Sequence, residues 1–328
     1  MEMDVINIIT NCSLDPVDLM DSGLFATSTG FILFTIYFFL ICICSIVENT
    51  IILMAIIRIK RLHKRRNILI FNLAVTDLMA GVIYPSSVIF NQTYMESIGF
   101  IIGFVSVFTI LAIAIERFVK IVVFTNHSSH IGTKRQLLGA SIIAWVIPSI
   151  TLFPISVYNY TLHLVIFLTL GPLCIFVVMT AISVLYLAIY VKIRSHDKRM
   201  SSNLNLPEKY KFTKLVLQAY VVIVVVYAIC WLPWGIESLR IMYTMYFGFD
   251  EENRCIVSTL AFYIGVAMVL LNSAVNPIIY FLRLPDFRKG ITELIGCCFK
   301  KAPVVENCSP LNTTGRHITN SIDDIELT

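Results

Sequence analysis

Charge is scarce in this chain. Asp, Glu, Lys and Arg make up 14% of its 328 residues, while hydrophobic residues make up 57%. No ordinary soluble domain has that balance. Lysine and arginine are missing from the first thirty residues, which also lack an early apolar core, so no cleavable signal peptide is expected. Histidine is sparse: His63, His127, His130, His163, His196 and His317 lie mostly in loops or flanks without metal-ligand spacing. No catalytic constellation appears, and the chain is not expected to be an enzyme. The two halves share no motif, which argues against the inverted repeats of a transporter.

Long apolar runs are what the sequence does have. A helical span needs about 20 apolar residues. Seven stretches qualify: Phe31–Ile57, Ile68–Phe90, Ile98–Val122, Leu137–Tyr158, Leu164–Val191, Leu215–Arg240 and Ile256–Leu282. Barrel strands would be shorter and would alternate, so these are helices. Lysines and arginines number six between spans one and two, four at the end of span three and beyond, seven after span five and six after span seven. That is 23 of 25 on one side. This side is cytoplasmic and the N-terminus is outside. The net charge of +4 is therefore a topology signal and not a nucleic-acid footprint.

The expected fold is an all-α membrane protein, a seven-transmembrane helix bundle with a short amphipathic eighth helix. Residues 1–30 form an extracellular N-terminus, 31–282 the bundle, 283–298 the amphipathic helix and 299–328 a polar, disordered tail. Asn11, Asn91 and Asn159 begin glycosylation sequons on the outer side. Cys12 and Cys255 lie in outer segments, where they either pair or stay as two free thiols. Cys297 and Cys298 end the amphipathic helix in a setting suited to palmitoylation. The basic loop from Arg58 to Arg66 reads as an anchor to anionic headgroups.

Several polar residues sit where lipid penalises them. Asp77 is the one acidic side chain well inside span two, and it must be protonated, paired or ion-bound. Asn49 in span one reads as a helix–helix hydrogen bond. Ser106 lies eleven residues before Arg117, three turns up the same face of span three, and so can point at Asp77. Trp231 is too deep in span six for the inner aromatic belt, and Pro233 follows it by two residues. Span seven carries Asn272, Ser273, Asn276, Pro277 and Tyr280. Pro277 removes a backbone N–H and should kink the helix.

Asp in span two, Glu116-Arg117 ending span three, Trp145 in four, Cys230-Trp231-Leu232-Pro233 in six and Asn276-Pro277-Ile278-Ile279-Tyr280 in seven occur in one order. The set resembles the rhodopsin-like (class A) G-protein-coupled receptors over residues 31–298. The resemblance implies that Asp77, Ser106, Asn272, Ser273 and Asn276 hold an allosteric sodium ion, and carboxylate, hydroxyl and amide oxygens suit a hard cation. It implies that Trp231 and Pro233 sense ligand, and that Glu116, Arg117, Tyr186, Pro277 and Tyr280 rearrange as span six swings outward. The implied partners are a heterotrimeric G protein, arrestin, the lipid bilayer and an extracellular ligand. The implied location is the plasma membrane.

The chain departs from that family's pattern in several places. Phe118 stands where Tyr is usual. Lys211 and Lys214 occupy the inner end of span six where an acidic partner for Arg117 often sits, so appreciable basal activity is expected. Val178 replaces the usual span-five proline, with Pro172 displaced outward. Gln92 fills the slot of the usual span-three cysteine. About ten residues are left for the loop between spans two and three, which is shorter than the family norm. A receptor-derived chain that no longer signals, or a polytopic transporter, would share parts of this pattern. Melanocortin receptors share the missing cysteine and an N-terminal cysteine paired to the third outer loop, which leans the resemblance toward the melanocortin, adenosine and cannabinoid branch and implies a Cys12–Cys255 disulfide. Gly99, Leu270 and Ser238 disfavour amine, retinal and adenosine ligands in turn. Glu96, Phe100, Trp231, Trp234 and Glu237 are the expected ligand pocket, for a basic peptide held by the two acids or for a small lipophilic molecule.

Overall fold

A computed structural model describes residues 28–90, 93–123, 133–200, 208–247 and 252–299. Its helices are α1 (Ser28–Arg58), α2 (Asn67–Phe90), α3 (Thr93–Phe118), α4 (Lys134–Tyr158), α5 (Tyr160–Leu168), α6 (Leu170–Met200), α7 (Glu208–Phe247), α8 (Glu252–Arg283) and α9 (Pro285–Phe299). A turn of 3-10 helix, Lys60–Leu62, follows α1, and a turn of π-helix, Val119–Val123, continues α3. Seven stretches are long and apolar enough to cross a membrane, α5 and α6 together making the fifth: Ile32–Arg58, Asn67–Ser86, Ser97–Val123, Lys134–Tyr158, Leu162–Ile193, Val224–Tyr243 and Ile264–Leu282. The expected all-α, seven-span bundle is present.

The spans pack as a closed ring. α1 packs on α2, α2 on α3, α3 on α4 and α6, α6 on α7, α7 on α8, and α8 returns to α1. Large apolar side chains cover the outside, with Ile150, Val177, Leu187 and Leu282 all exposed. In lipid such a surface carries no penalty, since apolar tails surround it. Polar side chains gather inside instead, among them Asn49, Asn72, Asp77, Ser106, Asn272 and Asn276.

Local chemistry accounts for the helix ends. Thr133 caps α4 in a reciprocal box: its hydroxyl accepts from the Gln136 N–H at 3.3 Å, and the Gln136 side chain accepts from the Thr133 N–H at 3.1 Å. Asn159 caps α5 by accepting from the Leu162 N–H at 2.9 Å. The fifth span is interrupted at Thr169, where one continuous helix is expected from the sequence. Pro172 explains the break, because its ring conflicts with the carbonyl of Leu168, four residues earlier.

One expectation is corrected and another gains a protein contact. α2 ends at Phe90 and α3 starts at Thr93, so the link between them is two residues and not about ten. The basic loop after α1 is held by protein. Arg61 pairs with Glu293 at 2.7 Å, while Lys64 and Arg66 pair with Asp286 at 3.2 and 2.7 Å. These bridges draw α9 onto the bundle, where Phe287, Ile291 and Leu294 are buried and Ile295 stays exposed.

Candidate functional site

An aromatic layer lies toward the end of the bundle where α2 passes to α3. Phe100 on α3 meets Phe104 edge-on at 4.7 Å and Phe167 on α5 at 4.6 Å. Phe167 meets Trp234 on α7 at 5.2 Å, and Trp234 meets Trp231 at 5.8 Å. Edge-to-face pairing of this kind adds to the apolar burial. Buried polar groups border the layer: Ser97 lies 3.2 Å from Nε2 of His163, whose ring sits 6.0 Å from Phe100. Of the expected pocket, Phe100, Trp231 and Trp234 are therefore brought together. Glu237 is not a free anionic anchor, because Arg240 one turn on donates to both its oxygens, at 2.9 and 3.1 Å through Nε. The side chain of Glu96 lies outside the described residues.

Trp231 and Tyr227 stack one turn apart at 5.4 Å. The indole fits over Gly103 of α3, where an added Cβ would stand 3.1 Å from it. Pro233 lies within α7, which continues through it.

The middle of the bundle holds the polar network. Asn276 donates to Asp77 Oδ2 at 2.8 Å, and both are buried. Ser45 donates to the Asp77 carbonyl at 2.9 Å. Pro277 leaves the Ser273 carbonyl without its helical donor, and the Asn49 side chain supplies one at 3.1 Å. The expected helix–helix role of Asn49 is thus met at the carbonyl whose donor Pro277 removes. Oδ1 of Asp77, Oγ of Ser106, Oδ1 of Asn272 and Oδ1 of Asn276 are buried with no hydrogen-bond partner among the described residues. Four oxygens left so are a donor set that fits a hard cation.

At the opposite end, where α1 passes to α2, Glu116 is shared. Arg117 reaches it at 3.2 Å and Lys120, on the π-helical turn, at 2.7 Å. Tyr186 and Tyr280 are buried, and Tyr280 lies 5.8 Å from Phe287 of α9. A second network is one that the sequence reading missed: Asn72 on α2 donates to Thr109 on α3 at 2.7 Å and accepts from the Trp145 indole on α4 at 2.9 Å. An amide in an apolar run was the available signal. Cys12, Asn11 and Asn91 lie outside the described residues, as do the side chains of Cys255, Cys297 and Cys298. Asn159 is exposed at the α4–α5 junction.

The family model of the seven-transmembrane receptors (rhodopsin family) matches residues 48–280. The chain belongs to that family. It is a receptor and not an enzyme. Among curated relatives of this receptor, sphingosine 1-phosphate receptor 3 of Takifugu rubripes is 28% identical over 295 residues, covering 81% of this chain and 72% of the relative. Sphingosine 1-phosphate receptor 2 of Homo sapiens is 28% identical over 300 residues, covering 85% and 80%. These relatives replace the lean toward the melanocortin, adenosine and cannabinoid branch. Squid rhodopsin has the same fold, with a TM-score of 0.64, 19% identity and coverage of 84% of this chain and 88% of that one.

Proposed function

We propose that this receptor stands in the plasma membrane with its N-terminus outside and passes the binding of an amphiphilic lipid phosphate to a heterotrimeric G protein. The carrying observation is the unbroken aromatic contact from Phe100 through Phe167 and Trp234 to Trp231. An alkyl chain laid against these rings buries apolar area and presses on Trp231 directly. The matched relatives are named for sphingosine 1-phosphate, an alkyl amino alcohol phosphate. Pairing of Glu237 with Arg240 weakens the case for a basic peptide.

The two states differ at both ends of the bundle. In the resting state Asp77, Ser106, Asn272, Ser273 and Asn276 would hold a sodium ion, which supplies a fixed positive charge among α2, α3 and α8. Ligand pressure on Trp231 biases α7, and its inner end moves away from Arg117, Tyr186 and Tyr280 to admit the G protein. Glu116 divided between two cations holds Arg117 less firmly than an undivided partner, in line with the expected basal activity.

The test is nucleotide exchange on G protein in membranes carrying the receptor. Sphingosine 1-phosphate should stimulate exchange, while dephosphorylated sphingosine and a basic peptide should not. Stimulation by the peptide alone, or by none of the three, refutes the ligand class.

A further inference from the structure

The aromatic layer begins with a polar pair. Ser97 precedes Phe100 by three residues on α3, and His163 precedes Phe167 by four on α5, so each polar side chain shares a helix face with the ring that follows it. Ser97 is 1% exposed and His163 4%, and the hydroxyl meets Nε2 at 3.2 Å. Beyond them the rings close up at once. Phe100 lies 6.0 Å from the His163 ring and 4.6 Å from Phe167, and a Cβ added at Gly171 would stand 3.1 Å from Phe100 and 3.3 Å from Trp234. The contacts then pass through rings alone to Trp234 and Trp231. The wall therefore has one polar end, nearer the start of α3, and one apolar end at Trp231. Packing α5 on α3 needs no such pair, since apolar side chains would join the two helices without desolvating a hydroxyl and an imidazole.

We propose that His163 and Ser97 take the phosphate end of the ligand and so fix its direction, with the alkyl chain running over Phe100 and Phe167 toward Trp231. The proposal rests on the ligand reading above. The bond between the two side chains uses one hydrogen, whichever group supplies it. A phosphate oxygen accepts from the hydroxyl and from the imidazole N–H, so one bond is exchanged for two. Each of the two is charge-assisted and about twice as strong as a neutral bond. A ligand hydroxyl in the same place gains no charge assistance. The pair therefore selects a lipid phosphate over its dephosphorylated form, while the rings read only the chain.

The test uses purified full-length receptor and its unfolding temperature, titrated with sphingosine 1-phosphate, with sphingosine and with a shorter-chain homologue of the phosphate. Wild type should reach its half-maximal shift at about ten- to hundredfold less sphingosine 1-phosphate than sphingosine. His163→Phe should bring that ratio to within about threefold of one, and Ser97→Ala should lower it by about three- to tenfold. His163→Gln keeps a donor and should retain part of the preference. The factor lost on shortening the chain should be the same in all four proteins, because the chain lies on the rings and not on the pair. Should His163→Phe not be recovered folded, Ser97→Ala and His163→Gln carry the same comparison. A wild-type ratio in the variants, or an equal loss for both lipids, makes the pair a packing contact and overturns this proposal while leaving the ligand class standing. A wild type that the phosphate stabilises no better than sphingosine does overturns both.

Discussion

Two glycines allow the packing of the bundle to be tested with one chemical change made twice. At Gly265 on α8, an added Cβ would lie 2.8 Å from the Trp234 Cα and 3.0 Å from its backbone nitrogen. Ordinary carbon contacts need about 3.5–4.0 Å. Gly265→Ala must therefore push α7 and α8 apart by roughly 0.7–1.2 Å at the level of Trp234, and no side-chain rotation relieves a clash with backbone. Overpacking of this kind costs about 1–3 kcal/mol. At Gly139 on α4 nothing lies within 4 Å of the same added atom. Gly139→Ala should stabilise by about 0.5–1 kcal/mol, because alanine loses less backbone entropy in a helix. Unfolding temperatures of the purified receptor should thus move in opposite directions, down by roughly 2–12 °C and up by roughly 1–4 °C. Ligand-stimulated exchange should fall only in Gly265→Ala. Equal temperatures for Gly265→Ala and wild type would refute the close approach of α7 and α8.

Asn72→Leu removes one interhelical donor and one acceptor. At about 0.6–1.7 kcal/mol for each bond in a membrane setting it should destabilise by roughly 1–3 kcal/mol, read by thermal unfolding and by the emission of Trp145. Asp286→Asn weakens two partly exposed ion pairs, with Lys64 and Arg66, and should cost about 0.5–1.5 kcal/mol at low salt. Because such pairs are screened, the variant and the wild type should unfold together in concentrated salt, and a salt-independent difference would refute an electrostatic cause.

The number of spans was legible because lipid leaves a chain few options. Backbone polar groups must be satisfied within each crossing, so length and apolarity alone find the helices. Asp77 and Asn276 were legible for a related reason, since polar side chains deep in apolar runs must meet one another, and these two do at 2.8 Å. What stayed hidden depends on distances between elements. The clasp of Arg61, Lys64 and Arg66 on Asp286 and Glu293 joins residues more than two hundred positions apart, and neither half carries a local sign that its partner exists. Glu237 looked free because an acid on an outer helix end usually is, and only the rotamer of Arg240 shows otherwise. The two-residue link after Phe90 stayed hidden because α3 starts at Thr93, ahead of the apolar run from Ile98 that marks the span in the sequence. Asn49 shows how the two kinds of information meet. A proline in span seven and an asparagine in span one each imply an unmet hydrogen bond, and the fold brings the donor of one to the carbonyl exposed by the other. Pairs of unmet needs, one donor and one acceptor on different spans, are therefore the sequence feature from which the contacts of a membrane bundle can be reasoned.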